Sequence, residues 1–245
     1  EDWTKAFTSS KVMTAFRHTM VSSVLATTTA IVIGFIFAYA MNYARLPGSR
    51  VFRVIALLPN MAPSVMTGLA FLLLFGRRGV ITYRLLGLTT DPYGWFGLWI
   101  VQSLAFFPLA YITISGVLRA ISPNVELSAQ NLGASGFRLF CTVTVPLATP
   151  GIASAYLLAF INTLADFGNP KLIGGNYNTL ATLAYTTVTG NYDMPLAAAL
   201  SLFLVVPSLL MFFIQKFYLD RKSYVTVTGK PTGGLTREFV SVPVK

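Results

Sequence analysis

Charged and apolar positions are segregated along this chain. Five windows contain no Asp, Glu, Lys or Arg: 18–44, 54–76, 92–118, 139–165 and 194–215. Each is longer than the roughly 20 residues that a helix, rising 1.5 Å per residue, needs to cross about 30 Å of hydrocarbon. The pattern predicts an all-α polytopic membrane protein with about five transmembrane helices, near 21–41, 54–75, 98–118, 147–165 and 196–217. Residues 1–20 read as a lead-in on the outer side and 219–245 as a cytoplasmic linker or tail. Pro59 and Pro63 fall inside the second span, and proline removes a backbone donor and clashes one turn back. That span is expected to be broken near Asn60, facing protein or a water-filled path. Pro108 and Pro207 read as packing kinks in the third and fifth spans. Pro146 to Pro150 suits the start of the fourth.

Composition sharpens this picture. Of 245 residues, 54% are apolar and 11% charged, against about 25% charged in a soluble domain, and the mean hydropathy is +0.65. The net charge of +10 would first suggest nucleic acid, but the cations sit between the apolar windows, where the positive-inside rule places them. Arg45, Arg50 and Arg53, then Arg119 and Arg138, then the tail define the cytoplasmic side. Arg77, Arg78 and Arg84 fall outside. One cysteine, Cys141, and one histidine, His18, exclude an internal disulfide, a histidine metal cluster and a Ser-His-Asp arrangement. The start, Glu1-Asp2-Trp3, has neither a basic nor an apolar stretch of the signal-peptide kind.

Between the third and fourth spans lies RAISPNVELSAQNLGASGFRLFCTVTVP, residues 119–146. Ser122-Pro123 is a helix start, Glu126 suits the first turn, and Gly133 can end the helix in a left-handed conformation. A short helix over about 123–133, too short to span, would lie on the basic side, with a second helix from Ser135. The stretch resembles the EAA loop of binding-protein-dependent ABC importer permeases: Glu-Ala-Ala, three residues, Gly, nine residues, Ile-x-Leu-Pro. Counted from Gly133, the triplet falls on Leu127-Ser128-Ala129, and Val143-Thr144-Val145-Pro146 takes the closing positions. The motif glutamate is replaced by Leu127, with Glu126 one position early.

The stretch Asp166-Phe167-Gly168-Asn169-Pro170, Gly174-Gly175, Ala181-Thr182 and the ending from Arg221 through Pro231 are similar to the ferric-iron-type permeases, whose near relatives carry 2-aminoethylphosphonate, thiamine and polyamines. The resemblance implies the ABC importer transmembrane-domain fold in the bacterial inner membrane. It also implies the N-terminal half of a fused two-half permease, lacking its first span and cut before the second half. The implied partners are an ABC ATPase homodimer, a second permease half or subunit and a periplasmic solute-binding protein, with the lipid bilayer around them, and no nucleic acid or cofactor. It makes Glu126, Leu127, Ser128, Ala129, Gln130, Asn131, Gly133, Ala134, Val143 and Pro146 the ATPase-coupling residues. No Gly-x-x-x-x-Gly-Lys-Ser/Thr is present, and Gly229-Lys230 runs into Pro231, so ATP hydrolysis falls to another polypeptide.

Three polar residues are candidates for the substrate pathway: Asn60 in the broken span, Asn162, and Asp166 at the outer edge of the fourth span, which reads either as a gate or docking residue or as a cap of the loop that follows. Gln102 and Tyr111 fit pore lining or helix packing equally. Two rival classes remain. A secondary transporter or channel calls for a mid-membrane ionisable relay and inverted repeats, and a membrane-embedded enzyme for paired carboxylates or an activated nucleophile. None of these is visible in the chain.

Overall fold

The computed structural model describes residues 9–44, 47–89, 91–214 and 216–217. The expected linker 219–245, the first eight residues of the expected lead-in and Arg45 lie outside the described residues. Regular structure among the described residues is helical throughout. Five stretches are long and apolar enough to cross a membrane: Ser10–Tyr43, Ser64–Leu85, Trp95–Ala120, Gly136–Ala165 and Met194–Ile214.

The first helix, α1 (Ser10–Tyr43), has 34 residues and is about 51 Å long. It starts eleven residues before the expected span. Arg17 bounds the uncharged window and Lys11 lies beyond it, but neither ends the helix, because Val12, Ala15 and Thr19 keep burying one face at helical spacing. Deeper along α1 the buried stripe becomes small, with Ala26, Ala30, Gly34 and Ala38 four residues apart. Small residues let two backbones approach closely where lipid supplies no hydrophobic drive between helices. A Cβ on Gly34 would sit 2.8 Å from Ala110 Cβ and 2.9 Å from the Tyr111 nitrogen. These contacts lie on α4 (Trp95–Ala120), the third span and the main partner of α1.

The second span expected at 54–75 is divided, and the stretch long enough to cross is Ser64–Leu85, which runs on through a π-helical segment, Val80–Leu85, and takes in Arg77, Arg78 and Arg84, expected outside. Helix α2 (Ser49–Met61) and α3 (Ser64–Phe75) are separated at Ala62-Pro63. At about 20 Å and 18 Å, neither alone crosses the hydrocarbon. Pro59 is accommodated inside α2, and the break falls where Pro63 forces its predecessor out of the helical region, leaving Ala62 extended at φ −97° and ψ 144°. Leu57 of α2 packs on the cluster of Ile31, Ala38, Ile114 and Leu118. Phe71 of α3 packs on Val101 and Ile173 at the other end of the bundle.

After α4 comes α5 (Pro123–Asn131), then α6 (Gly136–Leu139), a widened π-helical turn over Phe140–Thr144, and α7 (Val145–Ala165). The fourth span therefore begins at Gly136 rather than near Pro146. The widened turn leads into Pro146, whose ring nitrogen has no hydrogen to donate to the preceding turn. Beyond α7 come α8 (Gly168–Ile173), which the sequence did not signal, and α9 (Leu180–Asn191). Thr179 and Thr182 close a reciprocal capping box at the start of α9. The last described helix is α10 (Met194–Ile214).

Candidate functional site

Helix α5 starts at Pro123 behind Ser122, as its sequence requires. It ends in a complete Schellman arrangement. Gly133 has φ +87°, its N–H donates to the Gln130 carbonyl at 2.9 Å, and the Ala134 N–H reaches the Ala129 carbonyl at 2.9 Å. Leu127, Ser128, Gln130, Asn131 and Gly133 are exposed, Ala129, Ala134 and Val143 are half-buried, and Pro146 is exposed. Leu127 is 45% exposed, Leu132 89% and Phe137 80%. Large apolar side chains projecting from a connector between spans mark a surface that another protein or lipid covers.

Glu126 does not share that surface. It is 8% exposed, and its Oε1 accepts a hydrogen bond from the Tyr43 hydroxyl at 2.5 Å. The acid expected to face a partner is instead turned onto the end of α1. Next to it, Asn42 donates to Ser115 Oγ at 2.8 Å and accepts from Arg119 Nε at 2.9 Å, tying α1 to the end of α4 that feeds α5. Sequence reasoning missed Tyr43 and Asn42; the available signal was a polar pair closing an apolar span.

The three pathway candidates are not brought together. Asn60 lies exposed in the last turn of α2. Asn162 is exposed, with its amide donating to the Leu158 carbonyl at 2.8 Å. Asp166 is 6% exposed, and its Oδ2 accepts from Gln102 Nε2 of α4 at 3.1 Å and from Asn169 Nδ2 of α8 at 2.9 Å. Asp166 is thus a joint between α4, α7 and α8. A buried carboxylate must have donors around it, and these two supply them. Tyr111, like Gln102, is buried in packing at 3% exposure. The joint reaches α3 as well, since a Cβ on Gly68 would sit 2.9 Å from Asn169 Oδ1. A Cβ on Gly168 would sit 2.6 Å from Ser64 Oγ, so the break in the second span meets the end of the fourth.

At the end of the bundle opposite α5, Arg77 Nη2 donates to Asp91 Oδ2 at 2.8 Å, and the Tyr93 N–H reaches Asp91 Oδ1. The Arg77 guanidinium, then the Tyr93 N–H, hold the Asp91 carboxyl below its ordinary range. At that end His18 stacks on Tyr177 at 3.8 Å, and the Leu180 N–H donates to Thr19 Oγ1 at 2.8 Å. Burial raises the Tyr177 phenol above its usual value.

An apolar five-span bundle with a short exposed helix between its third and fourth spans is the arrangement the EAA-loop resemblance implies. The family model for the binding-protein-dependent transport system inner membrane component matches residues 30–224. The chain belongs to this family. Membership places it among inner-membrane components. It is 33% identical over 212 residues to the ferric transport system permease protein FbpB of Actinobacillus pleuropneumoniae, covering 83% of this chain and 31% of that protein. The chain thus spans about a third of the length of the ferric permeases it matches. It is also 32% identical over 173 residues to the molybdenum transport system permease protein ModB of Escherichia coli K12, covering 68% of this chain and 75% of that protein. The sulfate transport system permease protein CysT of the same strain is 26% identical, with 85% and 77% covered. Among solved structures, the inward-facing MetNI methionine ABC transporter matches with a TM-score of 0.67 at 16% identity, over 87% of this chain and 98% of that chain. A bacterial ABC transporter that imports alginate matches at 0.66 and 18%, with 91% and 83% covered. These likenesses establish the ABC importer transmembrane-domain fold.

Proposed function

We propose that this chain is one transmembrane half of an ATP-driven, binding-protein-dependent importer. In this reading α5 lies on the cytoplasmic side and docks into a separate ATPase homodimer, and a second half completes the pathway. A periplasmic solute-binding protein delivers cargo at the end carrying Arg77 and Tyr177. The observation that carries it is α5 itself: a short helix with a Schellman end at Gly133, projecting Leu127, Ser128 and Leu132 from an otherwise lipid-suited bundle. ATP-driven closure of the ATPases would shift α5 and rock the spans between two states, which is how a ligand biases a two-state element.

Ferric iron is the proposed cargo, supported by 33% identity to the ferric permeases. Selection is assigned to the binding protein, because among the described residues no three His, Cys, Asp or Glu side chains come together to hold a metal ion. Asn60 and Asn162, both exposed on the isolated half, are proposed to line the pathway. Purifying the full-length protein with its neighbouring gene products tests the reading. An ATPase should co-purify, and proteoliposomes should accumulate the binding protein's ligand only with ATP. Accumulation by the permease without any ATPase would establish a secondary transporter or channel instead.

A further inference from the structure

In this family's motif the acid stands one position after Glu126, and here that position is Leu127. One residue turns a helical side chain by about 100°. The offset is enough to reverse what the acid faces: Leu127 is 45% exposed and Glu126 8%. Glu126 meets Tyr43, the last residue of α1, at 2.5 Å.

Tyr43 belongs to a stripe. Phe35, Tyr39 and Tyr43 recur every four residues on the last turns of α1, with Phe35 and Tyr39 stacked at 6.3 Å and Tyr39 and Tyr43 at 4.6 Å. Phe140, on the other side of Gly133, packs edge-on against Tyr39 at 5.0 Å and Phe35 at 5.9 Å. Both arms of the coupling segment therefore sit on one aromatic face of α1: α5 through Glu126, and the widened turn through Phe140. The opposite end of α1 is fixed as well, through Thr19 to the start of α9 and His18 to Tyr177. A single helix about 51 Å long joins the two ends of the bundle.

We propose that Glu126 is a positioning residue, locked by Tyr43 so that displacement of α5 is carried into α1 and along it to the opposite face. The inference rests on the importer reading above. The lock ties α5 directly to the last residue of α1, so a tilt of α5 in an ATPase groove pulls on α1. A charged acceptor held by a hydroxyl at this distance is a stiff link. Small residues on α1 pressed against α4 keep the rod from bending away.

The test uses the complete transporter, full-length permease with ATPase and binding protein, in proteoliposomes. Tyr43→Phe removes the hydroxyl and keeps the ring in its stack. Co-purification of the ATPase should be unchanged, uptake should fall at least tenfold, and ATP hydrolysed per solute imported should rise about tenfold. Glu126→Gln keeps an acceptor oxygen and should retain more than half of the uptake. The double variant should be no worse than Tyr43→Phe alone, since both changes act on the same link. A wild-type ratio of uptake to ATP in Tyr43→Phe overturns the proposal. So does loss of ATPase co-purification or of membrane accumulation in that variant, because the contact would then shape docking or folding rather than transmission. If no ATPase co-purifies with the unaltered permease, the importer reading fails, independently of the lock.

Discussion

Gly133 offers a sharp test of the coupling segment, because its two possible roles separate cleanly. Its φ is +87°, and a Cβ added there meets nothing within 4 Å. Space is therefore not the constraint, and any cost of substitution is conformational. An L residue in the left-handed region costs about 1–2 kcal/mol, Asn less because its short polar side chain bonds locally, and a β-branched residue more. Relaxing to negative φ would break the two bonds that close α5, Gly133 to Gln130 and Ala134 to Ala129, and would redirect α6. The expected order of damage is Asn least, Ala intermediate and Val greatest. About 1–2 kcal/mol corresponds to a 5- to 30-fold fall in the population of the native coupling conformer. The assay is ATPase co-purification titrated against ATPase concentration, beside uptake, at matched membrane levels. Gly133→Ala should raise the half-saturating ATPase concentration by roughly tenfold, with Gly133→Asn close to wild type. Equal damage from Asn and Val would refute the conformational argument, and wild-type behaviour of Val would remove Gly133 from the mechanism altogether.

Ala129→Trp should abolish ATPase association at normal membrane levels, because a large side chain on half-buried Ala129 obstructs close entry of α5 into a groove; wild-type uptake would mean α5 is only a connector. Gln102→Leu leaves buried Asp166 without one of its two side-chain donors and should destabilise the protein by about 2–3 kcal/mol, read as a lower melting temperature in detergent; an unchanged melt refutes the joint. Asp91 should titrate below 3.8 by carbon NMR, and Arg77→Met should return it toward 3.8. The sign follows from the depressed value: the Arg77–Asp91 contribution is complete above the ordinary carboxylate range and is lost only as pH falls through the lowered midpoint. A midpoint that Arg77→Met leaves unmoved would show that the pair is not the cause.

The number of spans was legible because lipid imposes a simple rule on composition; their bounds were less so, since the second runs over Ser64–Leu85 and the fourth from Gly136, taking in arginines at their ends. The break at Pro63 and the start at Pro123 were legible because proline acts through its own ring and its immediate predecessor. What escaped was set by tertiary contact. Helix α1 continues to Ser10 through Lys11 and Arg17 because Val12 and Ala15 find Leu180 and Leu200, residues more than 160 positions away. Helix α8 is six residues around Gly168-Asn169-Pro170, a composition that reads as a turn; its side chains find donors and packing only once α3, α4 and α7 converge there.

The segment from Ser122 to Pro146 shows where that legibility stops. Spacing gives positions along a helix axis: Gly133 and Pro146 sit where the motif puts them, and α5 begins and ends as its residues dictate. Spacing does not give rotation about the axis, because rotation depends on what the helix lies against. Read as a string, Glu126 is a motif acid displaced by one and belongs with Leu127 and Ser128 as a partner contact. In three dimensions, Tyr43 and the stacked rings behind it determine which face of α5 turns inward, and Glu126 lies on that face. The same reasoning separates Asp166 from Asn162. They are four residues apart and would share a face if α7 continued, but α7 ends at Ala165, and Asp166 leaves the helix extended, at φ −66° and ψ 119°, reaching Gln102 and Asn169 while Asn162 stays on the exposed surface. An acid's place in a membrane bundle follows from the donors that the neighbouring spans bring to it, since a carboxylate without them would not remain buried.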